Sequence, residues 1–336
     1  MNETLKPMIT TIIPTYRRPQ LLKQAINSVL KQTYPHFQVC VYDNASGDDT
    51  ASVVAEIAKA DPRVKYYCHS ENIGAGKNFQ YGLEHVETPF FSFLSDDDFL
   101  LPEFYEAALA GFESHPDAMF SVTNVMHVSK RGSILGMTLD KWTPGIYRPP
   151  DGLMAMLEYG VSAWTGILFR KEVTEKVGLL DLDIWCNDVD FTLKIAAHYP
   201  FVVSKRSGAV FNEAMSLKLF LFDERWLGWL KMIQHLTEDK SLPNDVRAYA
   251  ERVLLRMFEK RLFATGVGYL CRGYPVDAQK VAALLRDQYG KFMKYMTLSA
   301  LINTYRYVPF ARLAFRCLII FYNKVRNLYP RLRRRS

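Results

Sequence analysis

Three consecutive aspartates, Asp96-Asp97-Asp98, follow the apolar run Phe90–Leu94 with only Ser95 between. Neighbouring anions about 4–6 Å apart repel by roughly 1 kcal/mol in water and by several at lower dielectric. Something must compensate them. A divalent cation with oxygen ligands does so directly, and Mg2+ typically combines one or two carboxylates with substrate phosphate oxygens. The plain alternative is a solvated acidic turn, or aspartates favoured by the dipole of a helix over Leu101–Ala110. A second acidic cluster, Asp43-Asn44-Ala45-Ser46-Gly47 with Asp48 and Asp49, follows another apolar run, Phe37–Tyr42.

The elements that must position these groups alternate between two periods. Met8–Ile13, Phe37–Tyr42, Val64–Cys68 and Phe90–Leu94 read as buried strands, with Pro14 stopping the first. Gln20–Gln32 carries an apolar stripe at helical spacing, and Thr50–Lys59 and Asn78–Val86 read as further helices. This order predicts an α/β fold with mostly parallel strands and right-handed crossovers. Ligands then sit beyond the carboxyl ends of the strands, which gathers Pro14–Arg18, Asp43–Asp49 and Ser95–Asp98 on one rim. Further on, Ala118–Val128 and Val161–Phe169 read as strands, Gly132–Pro150 as loop and hairpin, Asp188–Ala197 as a helix and Phe201–Val203 as a short strand. From Ser216 the pattern is helical, broken at Pro243 and Pro275.

Composition is that of an ordinary globular chain: 336 residues, 49% hydrophobic and 23% charged, which excludes collagen-like and wholly disordered classes. The net charge of +7 is uneven. No acid follows Asp287, whereas 11 cations do; without them the remaining 31 Lys and Arg face 35 acids. The basic balance belongs to a tail, so no nucleic-acid partner is expected. The five cysteines form no CxxC pair, which points to neither a zinc ribbon nor a disulfide framework and fits a reducing compartment. No apolar leader and no uncharged span of 18 or more apolar residues is seen, so a spanning helix is not expected. In the tail, Ala311, Phe315, Leu318, Ile319, Tyr322, Val325 and Tyr329 share one helical face, with Arg312 and Arg316 on another and Arg331-Leu332-Arg333-Arg334-Arg335 beyond. An apolar face beside cations suits an anionic membrane surface; a helix docked on the body is the bland reading. Gly74-Ala75-Gly76-Lys77 lacks the first glycine and the Ser/Thr of a phosphate loop.

Several blocks carry a family resemblance: MITTIIPTY (Met8–Tyr16) with Arg17-Arg18-Pro19, SVLKQTY (Ser28–Tyr34), VYDNASGDDT (Val41–Thr50), ENIGAGKN (Glu71–Asn78), FLSDDDFLLP (Phe93–Pro102), and later Gly166–Arg170, Val177-Gly178-Leu179 and NDVDFTLKIA (Asn187–Ala196). Over about residues 8–215 the chain resembles a family 2 glycosyltransferase of the GT-A fold. The resemblance implies a Rossmann-like, mixed but mostly parallel sheet flanked by helices in residues 1–215. Residues 216–336 then form a helical C-terminal extension ending in the basic amphipathic tail.

It further implies that Pro14, Thr15, Tyr16 and Arg17 meet the donor nucleotide. Asp43 would read the base, with Asn44 beside it and Lys77 near the nucleotide. Asp96 would turn to the ribose, and Asp97 with Asp98 to Mn2+ or Mg2+. Which of the three meets the cation stays open, because Ser95 stands where many relatives have Asp; Asp97 is favoured. Asp188 matches the catalytic base, against its reading alone as a helix N-cap. Trp164 and Trp185 flank these segments and either pack or stack on acceptor sugars. Relatives often carry a His after the last core strand; here Phe211–Ser216 has none, leaving Asn212 or Glu213 as substitutes.

The implied reaction is inverting, metal-dependent transfer from a nucleotide-diphosphate sugar, UDP by default, to a saccharide or lipid-linked acceptor. It would serve surface polysaccharide synthesis at the cytoplasmic face of a membrane. A sugar-phosphate nucleotidyltransferase or a non-catalytic sugar-nucleotide-binding scaffold are the rival readings.

Overall fold

The computed structural model describes residues 7–129, 131–184, 186–213, 228–287, 290–308, 310–315 and 317. The chain divides into two compact units, Met1–Lys218 and Leu219–Ser336.

The first unit opens β1 (Ile9–Thr15), α1 (Pro19–Leu30), β2 (Phe37–Asp43), α2 (Thr50–Ala60), β3 (Val64–Cys68), α3 (Ala75–Glu84) and β4 (Phe90–Phe93). It continues with β5 (Phe99–Leu100), α4 (Phe104–Ser114), β6 (Phe120–Val128), β7 (Ile134–Met137), β8 (Gly145–Tyr147) and α5 (Asp151–Tyr159). It closes with β9 (Ile167–Arg170), α6 (Val173–Val177), α7 (Asn187–His198) and β10 (Phe201–Asn212). Among the described residues these strands form one sheet in the order β3-β2-β1-β4-β9-β6-β10-β5, with β7 beside β6 and β8 beside β10. β1 pairs parallel with β2 and β4, β2 with β3, and β6 with β10; β9 runs antiparallel to β4 and β6.

Burial explains the first strand pattern. β1 is covered on both faces along its whole length, so it reads as a continuous apolar run rather than an alternation. α1 buries Leu22, Ala25, Ile26 and Val29, the stripe expected of a helix lying on a sheet. Pro14 does not stop β1, as the sequence suggested. It sits inside the strand, opposite Tyr42. Leu94 donates to the Ile12 carbonyl, so Pro14, two residues on, turns its missing N–H to the same side. There the pairing with β4 has already ended at Ile12 and Phe93, and no ladder bond is lost.

Two other expectations need correction. Val161–Phe169 is not one strand: a 3-10 turn occupies Trp164–Gly166 before β9. Gly166 suits that turn because a Cβ there would stand 2.3 Å from Val125 Cγ2. The short strand at Phe201–Val203 is instead a 12-residue strand reaching Asn212. Its pairing with β6 shifts register around Ser207, and the exposed Lys205–Ser207 stretch interrupts the apolar pattern.

The second unit contains α8 (Gly228–Thr237), α9 (Asn244–Arg272), α10 (Pro275–Asp287) and α11 (Phe292–Tyr307). Both prolines act as boundaries. Pro243 precedes α9 and Pro275 opens α10, where a missing N–H costs nothing. The unit's core gathers Trp229, Leu254, Phe258, Leu262, Val281, Leu285 and Leu298. No helix among the described residues is long and apolar enough to cross a membrane. Trp185, Ser216 and the tail residues Arg316, Leu318, Ile319, Tyr322, Val325, Tyr329 and Arg331–Arg335 lie outside the described residues.

Candidate active site

The pairing Thr15 with Asp43 and Ile12 with Phe93 brings the ends of β1, β2 and β4 to one edge. A cleft of about 310 Å³ opens there, lined by Pro14, Thr15, Tyr16, Arg18, Asn44, Ala75, Asn78, Phe79, Ser95, Asp96 and Asp97. The rim predicted from strand order therefore exists.

Two loops on this rim are locked together. Arg17 donates its backbone N–H to Ser46 Oγ at 2.8 Å and its Nε–H to the Ser46 carbonyl at 3.0 Å. Ser46 in turn donates its N–H and Oγ–H to Asp43 Oδ1, at 3.0 and 2.5 Å. Tyr66 donates to the other Asp43 oxygen at 2.6 Å. Arg17 and Ala45 hold positive φ, 54° and 58°, conformations that cost energy and persist where the surroundings enforce them. Asp43 is thus buried beneath the cleft and engaged on both oxygens, while Asn44 lines it. Asn44 Nδ2 donates to Asn72, and Asn44 Oδ1 accepts from the Ile73 N–H, so it ties β2 to the loop before α3. Lys77 stands exposed in the first turn of α3, next to Asn78, which lines the cleft.

The aspartate triplet splits three ways. Asp96 accepts from Thr15 Oγ1 at 2.8 Å and from Arg18 Nη1 at 2.9 Å. Asp97 accepts from the same Arg18 nitrogen at 3.2 Å. Asp98 turns inward. Its Oδ2 accepts from Thr165 at 2.7 Å and its Oδ1 from the Asn212 N–H at 2.9 Å. Burial pushes the Asp98 pKa up to about 7, against the lowering effect of these two bonds. Burial also raises Asp96, opposed chiefly by the Arg18 charge.

Carboxylate repulsion predicts a metal; in the structure Arg18 supplies a counter-charge. In the sequence Arg18 stands out only as part of a motif and of a rim segment. The signal was present, since three adjacent anions demand a cation and Arg18 lies on the same rim. Asp98, expected beside Asp97 as a ligand, turns under the cleft, where each of its oxygens accepts one hydrogen bond, from Thr165 ahead of β9 and from the end of β10. Among the described residues no group of three or more His, Cys, Asp and Glu converges to hold a metal. Asp96 and Asp97 both line the cleft; Asp96 is engaged by Thr15 and Arg18, and Asp97 fits a cation that takes one protein carboxylate and completes its shell with phosphate oxygens and water. Asn212 acts through its backbone. Glu213 pairs with His127 Nδ1 at 3.1 Å, and His127 Nε2 meets Thr138 Oγ1 at 2.8 Å.

Asp188 is the second residue of α7, with Cys186 at the cap position. Asn187, the residue before it, reaches α3: its Nδ2 would lie 3.4 Å from a Cβ on Gly76, the neighbour of Ala75 in the cleft lining. Asp188's carbonyl accepts from Thr192 Oγ1 at 2.8 Å, and that hydroxyl accepts from Trp164 Nε1 at 3.1 Å. Trp164 stacks on Phe93 at 4.1 Å between ring centroids and abuts Phe79, Phe169 and Phe191. It is a buried support for α7, not the open stacking platform for an acceptor that the sequence allowed. Asp190 is buried and pairs with Lys194 at 3.1 Å.

Residues 10–178 match the family model of glycosyl transferase family 2. The chain belongs to that family, and its mixed sheet with helices is a GT-A fold. Two of the relatives it matches are named for glycan synthesis. It is 38% identical over 96 residues to the GalNAc(5)-diNAcBac-PP-undecaprenol beta-1,3-glucosyltransferase of Campylobacter jejuni, covering 28% of this chain and 31% of that protein. It is 30% identical over 93 residues to the putative teichuronic acid biosynthesis glycosyltransferase TuaG of Bacillus subtilis, covering 28% and 37%. The chain therefore matches only about a third of these relatives' length. Among solved structures, S. aureus TarS in complex with UDP superposes with a TM-score of 0.65 at 18% identity, covering 89% of this chain and 91% of that one. The mannosyltransferase PcManGT from Pyrobaculum calidifontis, in complex with GDP-Man and Mn2+, gives 0.53 at 19% identity, covering 90% and 89%. At these identities the structures speak for the fold.

Proposed function

We propose that this chain transfers a sugar, with inversion, from a nucleoside-diphosphate sugar to a hydroxyl of a saccharide or lipid-linked glycan, in surface polysaccharide synthesis. The observation that carries the reading is the cleft at the ends of β1, β2 and β4. It combines nucleotide-sized space, two carboxylates and a guanidinium, with the start of α7 close by. A UDP-sugar is the first choice of donor. TarS was solved with UDP-GlcNAc, and a lipid-linked undecaprenol compound appears in the name of the Campylobacter relative.

In this reading Tyr16 and Asn44 face the nucleotide, and Asp96, pinned by Thr15, receives the ribose. Asp97 would hold Mn2+ or Mg2+, which when bound stabilises the negative charge that builds on the departing diphosphate. Arg18 adds a positive charge to the same cleft. Asp188 takes the proton of the acceptor hydroxyl as its oxygen bonds to the anomeric carbon and the bond to the diphosphate breaks. A positioned base of this kind contributes roughly 10²–10⁴-fold. Direct displacement with one base inverts the anomeric centre. Thermal shift against a panel of nucleotide sugars with Mn2+ tests the donor, because a ligand bound to the folded state raises apparent stability. No shift with any member, at concentrations far above ordinary donor affinities, would reject the reading.

The acceptor side extends the proposal to the C-terminal region. Tyr307, Phe310 and Leu313 are exposed, 77%, 84% and 61%, and Arg306 and Arg312 stand among them. Apolar side chains interleaved with cations suit the interface of an anionic membrane, each cation adding roughly 1 kcal/mol. The protein would then work peripherally on the inner face, from the cytoplasm. Co-sedimentation with phosphatidylglycerol vesicles tests this; a chain truncated before Tyr305 that still pellets equally would remove the membrane role.

A further inference from the structure

One guanidinium nitrogen serves two buried carboxylates. Arg18 Nη1 lies 2.9 Å from Asp96 Oδ1 and 3.2 Å from Asp97 Oδ2, while Asp96 and Asp97 are only 5% and 9% exposed. That nitrogen therefore occupies the space that joins the two acids. A divalent cation bound to Asp97 must approach its oxygen to roughly 2.0–2.2 Å, closer than the guanidinium now stands. A guanidinium does not yield by losing its proton. Two cations on one carboxylate oppose each other, so one must give way.

The freedom to give way lies with Arg18's side chain. Its backbone is fixed, since its carbonyl accepts from the Leu22 N–H at 3.0 Å as α1 begins. Its side chain is 30% exposed and lines the open cleft. Asp96 is held independently by Thr15 and can lose the arginine without losing its place. A guanidinium displaced into this cleft meets whatever anion occupies it, and arginine binds phosphate oxygens in bidentate fashion.

We propose that Arg18 is a resident counter-cation that a divalent metal must displace from Asp97. In the empty protein it balances the acidic corner and holds metal affinity low. When a nucleoside diphosphate enters, the guanidinium moves to the phosphates and Asp97 becomes available. Metal and nucleotide then bind with positive coupling, each favouring the other by the same factor. This rests on the reading of Asp97 as the cation ligand.

The test is Mn2+ binding to the full chain, followed by the electron paramagnetic resonance signal of free Mn2+, with and without UDP. Wild type should bind Mn2+ weakly alone and more tightly with UDP. Without UDP, Arg18→Gln should bind roughly 10-fold more tightly or better, within the usual range of site-to-site coupling. Arg18→Met, which keeps the aliphatic stem, should do the same and stands in if the Gln variant folds poorly. Arg18→Lys keeps the charge and should stay near wild type, and Asp97→Asn added to Arg18→Gln should erase the gain. A purely structural role would move affinity the other way, because a disordered site binds metal less well. Equal or weaker binding by Arg18→Gln and Arg18→Met, with wild type still binding in the presence of UDP, overturns the displacement and leaves the cation reading standing. Absence of Mn2+ binding by every variant, UDP included, overturns both.

Discussion

Replacing Asp98 with Asn should remove a pH-dependent loss of stability that the wild-type protein carries. Asp98 is 1% exposed. It accepts two hydrogen bonds, from Thr165 and from the Asn212 N–H, yet burial outweighs them and lifts its pKa from 3.8 to about 7. The like charges of Asp97 and Asp96 push the same way. A carboxyl whose folded pKa lies above its unfolded value holds more protons when folded. Its contribution is complete below about pH 4 and is lost as pH rises through about 7. Each pH step of one is about 1.4 kcal/mol, so a window of roughly three steps sets an upper bound near 4 kcal/mol. Asparagine stays neutral throughout. Wild-type stability minus that of Asp98→Asn should therefore fall steadily between about pH 4 and 7, then level off. Urea unfolding of the full chain, with a chelator present and read by intrinsic fluorescence, measures it. A difference that stays flat across the window refutes the reasoning. A difference that rises with pH would mean that the two hydrogen bonds dominate and the carboxylate is favoured in the fold.

Asp97→Ala should abolish the metal dependence of nucleotide binding; calorimetry giving the same wild-type affinity with and without chelator would reject Asp97 as ligand. Asp188→Asn should keep donor affinity while turnover falls by roughly 10²–10⁴-fold, and retained turnover would remove it as the base. Gly82→Ala should destabilise by about 1–3 kcal/mol, because the new Cβ would sit 2.5 Å from Ile12 Cγ2 and 3.0 Å from Tyr42 Cε2. A melting temperature equal to wild type would show that α3 yields at no cost.

The first half of the sheet was legible because β1, β2 and β4 are buried on both faces and α1 on one. Ile9–Ile13 has no competing period, and Leu22, Ala25, Ile26 and Val29 repeat as a helix on a sheet must. Signals failed where pairing did not follow burial. In β10 the exposed Lys205–Ser207 segment sits between two buried stretches. The strand continues through it because β6 offers hydrogen bonds on either side of the register shift. Trp164 looked strand-like because its neighbours are apolar. The turn at Gly166 exists because Val125 leaves no room for a side chain, and nothing near Gly166 in the sequence reports that.

The same distinction governs the site. Strand order was enough to bring Thr15, Asn44, Asp96 and Asp97 to one edge, because the direction of a parallel strand fixes where its end lies. It could not say which way each aspartate turns. Adjacent residues in a tight turn diverge, and here one pairs with Thr15 and Arg18, one faces the cleft and one goes under it to Thr165. Nor could it say which cation answers the repulsion, since an arginine 78 residues away in sequence is as good a neutraliser as a metal. Arg18 settles how the acidic corner is tolerated in the folded chain. The acidic corner therefore needs no divalent ion to be tolerated in the folded chain, and any effect of a metal on nucleotide binding or transfer should be separable from its effect on the stability of the fold.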